Sequence, residues 1–182
     1  MTHVEQLYKE NRYYTLCRMF ESDLDDCILW DHFLHVKSLA HLQRFEEVRE
    51  KLAWIKDVLK SKPGLYWYFR GQVEEYLLDG EAAMHSYWKG IQEDPEFPTC
   101  YLHLALLYRK QNYITDALDV LQVGMSKPDA CVDEFQFHIG VIHAGQHRYF
   151  EARECWKSAL RIDPNYQEAL HMLEDTQGLE DA

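Results

Sequence analysis

A small residue followed four positions later by a bulky apolar one recurs along this chain at a nearly constant interval. The pairs are Ala152 with Trp156, Ala117 with Leu121, Ala83 with Tyr87 and, more loosely, Val48 with Leu52, stepping by 35, 34 and 35 residues. A four-residue spacing puts both members on one face of a helix. Prolines that end a helix follow each pair at Pro164, Pro128, Pro95 and Pro63. One such unit cannot bury its apolar face alone, so each needs neighbours of the same kind, and the chain supplies them.

The clearest instance is EFQFHIGVIHAGQHRYFEARECWKSALRIDPNY, from Glu134 to Tyr166. It reads as two amphipathic helices broken near Gly145-Gln146-His147 and closed by Asp163-Pro164. Ile139, Gly140 and His143 share a face of the first, while Ala152, Trp156 and Ala159 share a face of the second. Small residues let the two helices approach and Trp156 fills the seam. First helices also precede the other pairs, carrying Trp67 and Gly71 in one unit and Leu104, Ala105 and Tyr108 in the next.

This pattern resembles the tetratricopeptide repeat family, whose signature is a Trp, Leu-Gly, Tyr, Ala, Phe, Pro series at a 34-residue period. The resemblance covers residues 29–166. It implies an all-α fold, a right-handed superhelical solenoid of antiparallel helix pairs with capping helices at both ends. One domain over 1–182 is expected, with a degenerate helix pair or cap at 1–28, repeats at 29–63, 64–97, 98–132 and 133–166, and a capping helix and tail at 167–182. Nine to eleven helices and no sheet are expected, because every apolar pattern between Val4 and Leu173 has helical period.

Within that frame, Leu16, Met19 and Phe20 give the cap a second helix, and Asp25 and Asp26 offer side-chain acceptors at the start of the helix through Trp30, Phe33 and Leu34. The first full pair is the least regular, since Val48 stands where Ala is usual and sets its helices farther apart. In the second pair Arg70 and Glu74 replace the Leu and Tyr of the family's inward face. Their separation lets them meet, or both tips reach solvent. In the last helix Leu170 and Leu173 are expected inward and Glu168, Glu174 and Asp175 outward.

A formal charge of −12 without a cluster of Lys and Arg argues against a nucleic-acid surface. No run is long enough to span a membrane. The five cysteines, Cys17, Cys27, Cys100, Cys131 and Cys155, form no CxxC pair, and the start Met1-Thr2-His3 is polar. Both features point to a reducing, cytoplasmic setting.

Catalytic chemistry finds little support. His143 with His147, and His32 with His35, have helical ligand spacing, but a third donor cannot be placed, so His143 reads as a seam residue and no metal is expected. Cys155 beside Trp156 reads as packing, no phosphate-binding glycine loop is present, and no cofactor is expected. The expected function is therefore non-catalytic.

In the resembled family the first helices line a concave groove that receives a peptide or helix. Carried onto this chain, the groove consists of Trp30, Phe33 and Lys37, then Tyr68, Gln72 and Glu75, then Leu102, Leu106 and Arg109, then Phe137 and Val141. These residues are surplus to the seam sets, and apolar surface beyond what packing needs marks an interaction site. The family's clamp for acidic chaperone tails uses Lys, Asn and Arg, whereas Phe33, Lys37, Phe69, Thr99 and His103 stand here, so that function is disfavoured. The expectation is an adaptor or assembly subunit with a protein partner. A small chaperone shielding a hydrophobic client and a self-associating homo-oligomer are the alternatives.

Overall fold

The computed structural model describes residues 3–10 and 29–179, with only the backbone at 3, 4, 29 and 30. The second helix expected for the N-terminal cap, the acceptors Asp25 and Asp26, Cys17 and Cys27 lie outside the described residues.

The described residues are all-α. Their ten helices are α1 His3–Lys9, α2 Leu29–His41, α3 Phe45–Val58, α4 Pro63–Tyr76, α5 Gly80–Glu93, α6 Pro98–Lys110, α7 Ile114–Met125, α8 Val132–Gly145, α9 Tyr149–Ile162 and α10 Gln167–Asp175. Consecutive helices form antiparallel pairs: α2 with α3, α4 with α5, α6 with α7 and α8 with α9. Pro63 and Pro98 do more than stop the preceding helix. Each is the first residue of the next one, where its missing N–H costs nothing and its fixed φ already suits the helix. The chain divides into two compact units, residues 1–93 and 94–182.

In unit 1 the α4–α5 seam closes on one aromatic ring. Tyr87 is fully buried, and a Cβ at Gly71 would stand 2.4 Å from its ring. Unit 2 repeats the device, for a Cβ at Gly140 would lie 2.5 Å from the buried Trp156 indole nitrogen and 3.0 Å from the Ala152 carbonyl. Between α6 and α7 the matching residues are Ala105 and Leu121, both buried: the smaller bulky residue accompanies the larger small one. The indole also donates to the Phe137 carbonyl at 3.1 Å, so the one polar atom buried with that side chain is satisfied.

The α2–α3 pair departs from this. Val36 and Val48, both buried, stand where the other pairs carry Gly or Ala and Ala, and its two helices meet over fewer residues. Beside this pair, α3 and α4 border a cleft of about 500 Å³ lined by Phe45, Leu52, Tyr66, Val73 and Leu77.

All four pairs turn in the same way. Gln43, Leu78, Asn112 and His147 each have a φ near +60°, from 59° to 65°. The next amide closes a six-residue loop onto the helix in every case: Arg44 to Leu39, Asp79 to Glu74, Tyr113 to Tyr108 and Arg148 to His143, at 2.9 to 3.0 Å. The left-handed residue itself donates to the carbonyl three back, which completes a Schellman motif. None of the four is glycine, the residue best suited to that backbone.

One orientation differs from expectation. In α10 the inward residues are Ala169, Met172 and Leu173, followed by buried Thr176 just past its end, while Leu170 is 38% exposed. Ala169 is the residue that fits against Ala152 and Trp156, and Leu170, one position on, is rotated about 100° away.

Candidate functional site

Each unit presents its own part of the expected groove. In unit 1, the backbone of Trp30 lies on α2 and its side chain is outside the described residues. Phe33 is only 1% exposed and stacks on Phe69 with ring centroids 4.5 Å apart, so it belongs to the core. Lys37, one turn along, stays half-buried. Its ammonium sits 5.5 Å from the Phe33 ring centroid and 5.6 Å from that of Tyr8, both within cation–π range. Burial lowers its pKa and the Glu75 carboxylate opposes that effect.

Glu75 in turn accepts a hydrogen bond of 2.5 Å from the Tyr87 hydroxyl. Burial, then that carboxylate, push the phenol far above its ordinary pKa, so Tyr87 remains a donor. Gln72 and Tyr68 flank the same hydroxyl. Four of the expected residues, Lys37, Tyr68, Gln72 and Glu75, thus form one half-buried polar and aromatic cluster anchored on the seam tyrosine. Nearby, Arg70 does meet Glu74, at 2.8 Å, and Ser86 donates to the other carboxylate oxygen at 2.5 Å.

In unit 2, Leu102 is 3% exposed and is core, while Leu106 and Arg109 on the same helix are half-exposed. Phe137 packs against the Tyr166 ring at 5.0 Å and, with Val141, borders the cluster around Ala152, Trp156 and Ala169. Tyr166 was not foreseen as its partner. The sequence signal was the aromatic just after Asp163-Pro164, where the next helix begins.

Arg109 and Val141 come together in a cleft of about 590 Å³ at the turn ends of α6 and α8. Its other walls are Lys110, Asn112, Ile114, Ile142, Gly145 and Gln146. Lys110 could have been recognised as Arg109's neighbour in the last turn. Asn112, Ile114 and Gln146 depend on the tertiary placement of two turns, which no local pattern reveals.

Burial favours the uncharged forms of His138, His143, Cys100 and Cys155. His138 is pushed down to about 4 by burial and then by Arg109 and His103. His143, half-buried on α8, is lowered by burial and then by Arg148; exposed His147 hydrogen-bonds the Tyr149 hydroxyl at 2.9 Å. The Cys100 thiol is pushed up to about 12 by burial and then by Asp94, and burial raises Cys155 too. Such groups favour contact over nucleophilic attack. Among the described residues no three His, Cys, Asp or Glu side chains gather to hold a metal ion. None of these helices is long and apolar enough to cross a membrane.

A comparison with curated protein sequences finds no match. Residues 133–166 match the tetratricopeptide repeat family. Among solved structures, a thermophilic TPR protein of Thermus thermophilus is similar, with TM-score 0.67 and 15% identity over 96% of this chain and 95% of that one. YrrB, described as a TPR protein with an unusual peptide-binding site, gives 0.59 and 15% over 92% and 87%. MamA residues 41 to the end, from Desulfovibrio magneticus RS-1, gives 0.59 and 13% over 91% and 98%. Residues 133–166 thus match a tetratricopeptide repeat by sequence, and the chain has the fold of the tetratricopeptide-repeat proteins it resembles.

Proposed function

We propose that this protein is a non-catalytic interaction adaptor or assembly subunit that holds a partner peptide or helix against the first helices of its repeats. The observation that carries this reading is the division of labour on α6 and α8. Leu104, Ala105, Ile139 and Gly140 are buried, whereas Leu106, Arg109 and Val141 remain half-exposed on the same helices. Leu106 and Arg109 lie outside the seam set of their helix, Val141 only borders the core of its own, and a partner would bury what they leave exposed. Among the described residues Cys100, Cys131 and Cys155 are free thiols, which supports a reducing compartment for that partnership.

The test is affinity capture with mass spectrometry, using the wild-type chain and Leu106→Glu. A carboxylate placed against an apolar partner surface is expected to weaken binding by about 2 kcal/mol or more, roughly thirtyfold. Circular dichroism of the variant should match wild type; if it does not, the pair Leu106→Ala and Val141→Ala takes its place. Retention of every captured partner by a folded variant would refute the reading.

A further inference from the structure

We infer that the cleft at the turn ends of α6 and α8 is a docking site for an acidic segment of a partner protein, one carboxylate side chain beside an aliphatic one. This deepens the reading above and rests on it. The charged side chains lining the cleft are Arg109 and Lys110, with no carboxylate among its walls. That is unusual for this chain, whose net charge is −12. Elsewhere arginines are compensated: Arg44 by Glu47, Arg49 by Glu46, Arg70 by Glu74 and Arg148 by Glu151. Arg153 donates to the Thr176 and Leu179 carbonyls, and Arg161 to the Ser158 hydroxyl. Arg109 is the one arginine among the described residues whose guanidinium makes no hydrogen bond.

Four of the carbonyls at these helix ends are already engaged by backbone amides. Tyr108 and Arg109 accept the Tyr113 and Asn112 amides, and His143 and Ala144 accept those of Arg148 and His147. What faces the cleft is a guanidinium, an ammonium and the amides of Asn112 and Gln146, above walls of Ile114, Val141 and Ile142. Cations beside aliphatic walls suit a carboxylate that arrives next to an apolar residue. The cleft shares no position with the clamp residues of the family's acidic-tail binders, so it is a different surface.

The probe is a capped fluorescent peptide of alternating leucine and glutamate, with a counterpart carrying lysine for glutamate. The acidic peptide should bind, lose affinity as salt is raised, and shift backbone amide resonances at 109–114 and 141–146. Arg109→Gln should weaken it roughly tenfold and Lys110→Gln a few-fold. The inference is overturned if the lysine peptide binds equally well, if Arg109→Gln changes nothing, if the shifts map elsewhere, or if single-stranded RNA displaces the peptide from the same amides. Captured partners lost in Leu106→Glu but kept in Arg109→Gln would leave the adaptor reading standing and end this one. The converse result would move the adaptor surface away from Leu106.

Discussion

The α2–α3 pair in unit 1 and the α8–α9 pair in unit 2 are built to the same plan and packed differently. Each turns through a Schellman motif, and each buries residues at helical spacing. In α8–α9, Gly140 and Ala152 leave room for an indole between backbones; in α2–α3, valines occupy both places and fewer residues of the two helices come close together. Closeness of approach in this fold is therefore set by what is missing from the side chain. The bulky residue can fill a seam only after its neighbour has vacated it.

The largest test of that contrast is Trp156→Ala. It removes a fully buried aromatic and its hydrogen bond to Phe137, and should cost about 3–5 kcal/mol. Hydrogen exchange should rise first in α8 and α9; unchanged exchange and melting temperature would show that the indole does not hold this seam.

Acid should weaken both units, unit 1 over the wider range. His35 is pushed down to about 3 by burial and then by Lys51, and His138 to about 4. In both, the unfolded state takes up its proton first, near pH 6.5, so stability falls as pH drops from there toward the folded values. The slope is at most about 1.4 kcal/mol per pH unit for each histidine. Denaturant midpoints that stay flat between about pH 7 and 4 would contradict this.

Gly71→Ala and Gly140→Ala should each destabilise by about 1–3 kcal/mol, because the added methyl meets a ring that cannot withdraw. A methyl normally favours a helix, so the sign is diagnostic. If either variant is more stable than wild type, the seam has slack that the geometry denies.

The smallest effect runs the other way. Leu78→Gly should stabilise the α4–α5 turn by about 1 kcal/mol, since Leu78 is 93% exposed with φ 61° and gives little burial for its strain. Asn112→Gly should gain only a few tenths, as Asn already tolerates that backbone. Equal shifts in thermal melting for the two would remove the turn-strain explanation.

Much of this could be read before any coordinates. The 34- and 35-residue steps of the small-then-bulky pairs located the four second helices, and Val48 foretold the loose pair. The helical period gave the class. The candidate site was less legible, because a face on an isolated helix does not say what later covers it. Phe33 found Phe69 on another helix, Leu102 entered the core and Phe137 found Tyr166, 29 residues on. Leu170 failed for another reason, since two apolar residues, Ala169 and Leu170, competed for one inward position and the smaller one fitted.

The recurring turn also governs how this chain can change length. Each first helix hands over to its partner through three residues, at 42–44, 77–79, 111–113 and 146–148. Those residues are tied to the helix just ended, so an insertion there would rotate the following helix by about 100° and swing its apolar stripe out of the seam. The connections leaving second helices are less uniform: 59–62 and 163–166 hold four residues, with Leu59 buried and Tyr166 packed on Phe137, and 126–131 holds six. Growth or grafting of a tag belongs in the 126–131 link, whose six mostly exposed residues offer the most backbone to take up an extra one.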